Sequence, residues 1–132
     1  MKVFVCVDNT MGIAFNRRRQ SRDRILVADA IAMADTSLLC TPYSAELLRE
    51  HPRLRVSEMP LDEATRDEYV FAELLSLAPY AERIDTLILY RWNRDYPSDM
   101  SLDLSLSDFR LLCTENIVGS SHEKITKEVY VK

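Results

Sequence analysis

Two short stretches constrain this chain more than any others: VFVCV at Val3–Val7 and TLILYRW at Thr86–Trp92. Each is apolar at consecutive positions, so a strand built from it has no face to give to water and belongs inside a sheet covered on both sides. Sheets of that kind are the centre of α/β folds. The first stretch runs into Asp8-Asn9, a turn holding Gly12, and then Arg17, Arg18, Arg19, Arg22 and Arg24. The chain has only two glycines, so Gly12 marks a place where the backbone needs a positive φ or where another group approaches closely. The arginines set a local positive field on a chain of formal charge −4. They are either a solvated helix start meeting nearby carboxylates or an anion site.

The net charge itself argues against general nucleic-acid binding, which needs a wide basic surface. With 132 residues, 47% apolar and 29% charged, residues 1–132 suit one ordered α/β domain. Cys6, Cys40 and Cys113 are odd in number, far apart and each in an apolar run, which is the pattern of buried reduced thiols. No C-x-x-C spacing occurs, and no metal is expected. The start lacks a signal-peptide pattern and no run reaches the ~18 apolar residues of a membrane span, so a cytoplasmic location without a membrane partner is the expectation.

Taken in order, Ser21 is placed to cap a helix with Asp23 in its first turn, and Ile25–Met33 is apolar nearly all round, which suits a helix lying on a sheet. Ser37–Cys40 reads as a strand. Thr41-Pro42 starts a second helix that continues through Leu47 and Leu48 until Pro52 forbids more. Leu54–Glu58 is a third strand, and Met59–Glu68 an exposed acidic connection. Tyr69–Glu73 is a fourth strand and Leu74–Arg83 a helical turn. Asn93–Leu106, with Pro97, is a long loop. Phe109–Ile117 and Glu123–Lys132 close the chain as an antiparallel pair turned by Gly119-Ser120-Ser121, with Ile125, Val129 and Val131 facing inward.

Chemistry-bearing residues gather at the ends of these elements. His122 stands beside the Ser120-Ser121 turn as a general acid or base or as a turn residue; Thr126 stands where an H-E-x-x-H zinc helix needs its second histidine. No nucleophile elbow surrounds any serine or cysteine. Arg91 and Trp92 close the second apolar strand, where the indole either stacks on a planar ligand or lids the core. Thr41, Tyr43 and Ser44 sit at a helix N-terminus whose backbone donors suit an anion.

The order of elements resembles dihydrofolate reductase. VFVCVDNTMGIAFN is similar to that family's first strand and mobile loop, SRDRILVADAI to the helix carrying its one catalytic carboxylate, and SLLCTPYSAELL to the next strand and short helix. LRVSE resembles the following strand, and APYAERIDTLILYRWNRDYPSD the run into the late strand and its Asp and Pro loop. The resemblance implies an α/β fold with a mixed sheet flanked by helices and a shortened middle, since Glu58–Tyr69 is too short for the family's extra strand and helix. It implies that Asp23 matches the carboxylate that protonates or orients a pterin. Glu73-Leu74-Leu75 replaces the Gly-Gly pair that admits the NADPH pyrophosphate, so conventional NADPH binding is disfavoured and the cofactor is left open. The two ends, VDNTMGIAFNRRRQSRDR and GSSHEKITKEVYVK, also resemble a group of small uncharacterised bacterial proteins often labelled ribonuclease Z. Only His51 and His122 are present, too few for the two-zinc motif that label implies.

The resulting expectation is a dihydrofolate-reductase-like protein binding a small anionic or nucleotide-like ligand. Asp23 and His122 are the catalytic candidates; Asp8, Asn16, Arg17, Arg18, Arg19, Tyr43, Arg91 and Trp92 are the ligand-binding candidates. The alternatives are an interaction module or homodimer without catalysis, and a degenerate NADPH-dependent reductase.

Overall fold

A computed structural model describes residues 1–132. The strands are β1 (Lys2–Val7), β2 (Gly12–Phe15), β3 (Arg18–Arg19), β4 (Leu38–Cys40), β5 (Leu54–Val56), β6 (Tyr69–Phe71), β7 (Thr86–Arg91), β8 (Met100–Ser101), β9 (Arg110–Ile117) and β10 (Ile125–Val131). The helices are α1 (Arg24–Met33), α2 (Pro42–Ala45) and α3 (Pro60–Glu63), with a 3₁₀ stretch over Ala78–Arg83. Seven strands form one sheet in the order β5-β4-β6-β1-β7-β10-β9. The two apolar stretches are neighbours at its centre: β1 pairs in parallel with β7 from Lys2↔Thr86 to Val7↔Arg91 and with β6 on its other side. Burial on both faces explains why neither strand alternates with polar residues.

The two faces bury different sets. Phe4, Tyr69, Phe71, Ile88, Tyr90, Trp92, Ile125 and Val129 point toward α1, which contributes Leu26, Val27 and Ala30. Phe4 is the centre of an aromatic group, 5.5 Å from Tyr69 and 6.2 Å from Tyr90 between ring centroids. On the other face Val3, Val5, Val7, Val70, Leu87 and Leu89 are covered by Leu61, Ala64, Leu77, Ile84 and Leu104. That cover is made of single helical turns and loops. The segment expected as an exposed connection over Met59–Glu68 is therefore part of it, with Pro60, Leu61 and Ala64 buried.

Several local expectations are corrected. Of the five arginines only Arg24 lies in α1: Asn16 and Arg17 form the two-residue loop of a β2–β3 hairpin, at φ 53 and 59, with Phe15 paired to Arg18. Two successive positive φ values mark a type I′ hairpin turn. The cap of α1 is Asp23, not Ser21; its carboxylate accepts from the N–H groups of Ile25 and Leu26. The helix after Thr41 is a single turn over Pro42–Ala45, and the Thr41 hydroxyl does not cap it. Gly12 has no positive φ; Met11 before it does, at 66. What Gly12 provides is room, since a Cβ there would overlap Ser98 Oγ. Cys40 is buried and Cys6 half-buried, but Cys113 is exposed on β9, an edge strand whose residues from Arg110 to Asn116 are exposed on both faces. A bulge opposite Val129/Tyr130 twists that edge.

Leu74, just beyond β6, holds φ 61, a conformation that costs a branched side chain about 1–2 kcal/mol. Leu74→Gly is therefore expected to keep the fold and to raise the urea midpoint by the equivalent of about 1 kcal/mol; a lowered midpoint in equilibrium unfolding would count against strain at this position.

Candidate functional site

The C-terminal ends of β1, β6 and β7 meet the start of α1, the place where open α/β sheets receive ligands. Cys6, Phe71 and Trp92 come from the strands, and Ser21, Asp23, Leu26 and Val27 from the loop and helix. The hairpin turn between β9 and β10 closes this corner. Its residues Ser120 and Ser121 donate their N–H groups to Asp23 Oδ1 (3.0 Å) and Oδ2 (2.8 Å). Gly119 is required there because a Cβ would collide with Asp23 Oδ2.

Asp23 and His122 are brought together across 99 residues of sequence, with His122 Nδ1 3.0 Å from Asp23 Oδ2. Both are buried, at 2% and 5% exposure, so His122 is an interior residue and not a surface one. Burial alone pushes the Asp23 carboxyl up, but the N–H groups of Ser121 and Ser120, His122 and the N–H of Leu26 outweigh it and hold it well below the usual carboxylate range. The anionic carboxylate places the imidazole proton on Nδ1. Nε2 then faces two hydroxyls, Ser21 Oγ at 3.1 Å and Tyr96 Oη at 3.0 Å, and its one lone pair accepts from one of them at a time. The ring lies against Trp92, centroids 4.6 Å apart and 29° from parallel. Trp92 is thus a wall of this corner, 3% exposed.

The other sequence candidates have separate roles. Asp8 is 1% exposed and accepts from Thr10 N–H and Oγ1, Gly12 N–H, Gln20 Nε2 and Tyr96 N–H; it organises the first loop. Arg19 makes a two-point ion pair with Glu73, Nε to Oε2 at 2.8 Å and Nη2 to Oε1 at 2.9 Å, and its guanidinium lies 4.5 Å from the centre of the Tyr43 ring. Ser44 Oγ donates to the same Glu73 at 2.7 Å. Arg91 points to the opposite face and binds Glu128 at 2.7 Å. Asn16, Arg17 and Arg18 stand exposed on the hairpin. The structure therefore unites Asp23, His122 and Trp92, places Arg19 and Tyr43 around Glu73, and leaves Asp8, Asn16, Arg17, Arg18 and Arg91 outside that corner. Ser21 and Tyr96 join it without any sequence signal, because their contacts span 101 and 26 residues.

Beside the corner lies a groove of about 830 Å³ between α1 and the turn that follows α2. Val27, Ala28, Ile31 and Leu47 line it, and Arg22, Arg24, Arg49, Glu46, Glu50, Ser120 and Ser121 edge it. Arg49 is neutralised by Glu46 and Glu50. Arg22 and Arg24 are exposed and form no ion pair.

No family model and no curated protein sequence matches the chain. Among solved structures it is similar to the dihydrofolate reductase of Enterococcus faecalis in complex with NADP(H) and RAB-propyl, at TM-score 0.65 and 11% identity, over 98% of this chain and 94% of that one. The fold is dihydrofolate-reductase-like. At that identity the likeness is one of architecture. Nothing in these comparisons supports the resemblance to proteins labelled ribonuclease Z. The shortened middle expected from the sequence, Glu58–Tyr69, holds only the single turn of α3 before β6.

Asp23→Ala removes an acceptor from donors that stay buried, and a loss of about 3–5 kcal/mol in chemical denaturation is the expected result. Because the folded-state pKa of Asp23 is depressed, its contribution is complete above the unfolded carboxylate value near about 3.9 and drains away as pH falls through the folded value. Asp8 acts in the same direction. Melting temperature should accordingly drop below about pH 4 in the wild type and fall less steeply in Asp23→Asn; parallel pH profiles for the two proteins would contradict this.

Proposed function

We propose that this dihydrofolate-reductase-like chain binds a small anionic ligand of nucleotide-like size in the groove between α1 and the turn after α2. The groove carries this reading: its volume of about 830 Å³ lies within the range of about 300–1,000 Å³ usual for small-molecule sites. It also combines an apolar floor with two cations that have no carboxylate partner. Arg22 and Arg24 would hold the negative group while the body of the ligand covers Val27, Ile31 and Leu47. Asp23 adjoins the groove, but its two oxygens accept from the N–H groups of Ile25, Leu26, Ser120 and Ser121 and from His122, which fits a residue that positions the wall better than one that protonates a pterin.

The same reading disfavours a nicotinamide dinucleotide bound in the usual way. Glu73 and Leu74 stand where the resemblance to dihydrofolate reductase implies the Gly-Gly pair that admits a pyrophosphate, and Arg19 and Ser44 hold Glu73 in place. The interaction-module alternative rests on a different observation, the exposed Leu111, Leu112 and Val118 along the β9 edge. A concentration-dependent dimer broken by Leu112→Lys, measured by light scattering, would favour it.

A thermal-shift panel of nucleotides, folates and NADPH tests the ligand reading. One anionic compound is expected to raise the melting temperature at concentrations where NADPH does not, because binding to the native state alone stabilises it. Arg22→Ala/Arg24→Ala should weaken that compound at least ~10-fold, the loss of one or two charge-assisted contacts of about 1.5–3 kcal/mol each. No shift with any anion, or equal affinity in the double variant, removes the groove from consideration.

A further inference from the structure

We infer that Ser21, His122 and Asp23 form an acyl-transfer triad acting on small carboxylic esters. Three observations converge. His122 Nδ1 is held 3.0 Å from Asp23 Oδ2, and the carboxylate is fixed by backbone N–H donors, so the tautomer and the plane of the ring are set. Nε2 therefore directs its lone pair at Ser21 Oγ, 3.1 Å away, in competition with Tyr96 Oη at 3.0 Å, and the Ser21 hydroxyl makes no other hydrogen bond. Ser21 and Trp92 together line a narrow crevice that shares Arg22, Asp23, Val27 and Leu47 with the groove beside α1, so the crevice adjoins the groove. The neighbouring hydroxyls are not equivalent: Ser120 Oγ accepts from Arg24 N–H, and Ser121 Oγ has its one proton within reach of the Arg22 carbonyl and Asp23 Oδ2 and lies 3.1 Å from His122 Nδ1, the nitrogen that faces Asp23.

In the first step Ser21 Oγ bonds to the ester carbonyl carbon while its proton passes to His122 Nε2; the carbon–alkoxy bond then breaks and the leaving oxygen takes that proton as the alcohol. Water repeats the sequence: its oxygen bonds to the acyl carbon, its proton passes through Nε2, and the acyl–Oγ bond breaks to release the acid and restore Ser21. No oxidant, metal or second substrate enters. The imidazolium formed in each half is stabilised by Asp23 on one side and by the face of Trp92 on the other. Tyr96 Oη, 3.0 Å from Nε2, can accept from it once the ring is charged. The N–H of Arg22, next after the nucleophile in sequence, has no partner within the chain and is the nearest backbone donor along the chain for a developing oxyanion.

The test uses the intact protein with p-nitrophenyl acetate, p-nitrophenyl butyrate and a fluorophosphonate reporter, none of which requires an anionic-ligand site. The expected result is p-nitrophenolate release about 10²-fold or more above Ser21→Ala. A fluorophosphonate adduct should lie on the tryptic peptide Gln20–Arg22, whose single serine is Ser21. Absence of an adduct, an adduct on Ser120 or Ser121, or wild-type turnover in Ser21→Ala overturns the inference. Should Ser21→Ala not fold, Ser21→Cys reads the same base: iodoacetamide alkylation on that peptide at least ~10-fold faster than in Ser21→Cys/His122→Gln supports the triad, and equal rates refute it.

Discussion

The carboxylate of Asp23 ties together parts of the chain that have no other reason to meet. It caps α1, receives two N–H groups of the β9–β10 turn and orients His122, all through two oxygens. A buried anion is tolerable only when its lone pairs are met, and here nearly all of them are met by groups that would themselves be unsatisfied without it. The helix start and the turn are therefore each other's solvent. Removing this group would leave the N-terminus of α1 and the turn with orphaned donors and His122 without an orienting partner.

Electrostatic neutralisation decides which of the arginines has a free charge. Five arginines lie between residues 17 and 24, yet Arg19 is locked to Glu73, while Arg17 and Arg18 project from a hairpin into water. Only Arg22 and Arg24 combine exposure with a position at the rim of a groove. The Arg19–Glu73 pair also has a mechanical effect. It joins the hairpin to the end of β6 and to α2, and walls the small space beyond the ends of β1 and β6 lined by Cys6, Ala72 and Trp92.

The sheet is asymmetric in its cover. One face meets a ten-residue helix, the other only short turns whose buried side chains are Leu61, Ala64, Leu77 and Ile84. At the far edge β9 lacks cover on either face, and its bulge and its charged Arg110 and Glu115 blunt an otherwise open row of hydrogen-bonding groups. Cys113 and Leu112 are exposed for this reason, although their sequence context is apolar.

Local chemistry made the central strands legible from residues alone. Val3–Val7 and Thr86–Trp92 can satisfy an all-apolar surface only inside a sheet, and in the closing strand Ile125 and Val129 enter the core as their spacing implies, while Val131 near its end is only half-buried. Asp23 and His122 were also singled out from residue type and position, and the structure places them in contact, with Gly12 a point of close approach. The hairpin at Asn16-Arg17 was not, because its second residue is an arginine where glycine is usual, and the helix after Pro42 ended early because Leu47 and Leu48 serve packing and not periodicity. What only the tertiary structure decided is partnership. Nothing within a few residues of Ser21, Tyr96 or Glu73 marks the imidazole or guanidinium each one meets, since those contacts arise where chain segments tens of residues apart are folded into one corner. Sequence sets which residues must hide from water and which can bear charge; the register of β1 against β7 and the closure of the last turn set which of those charges and hydroxyls face one another.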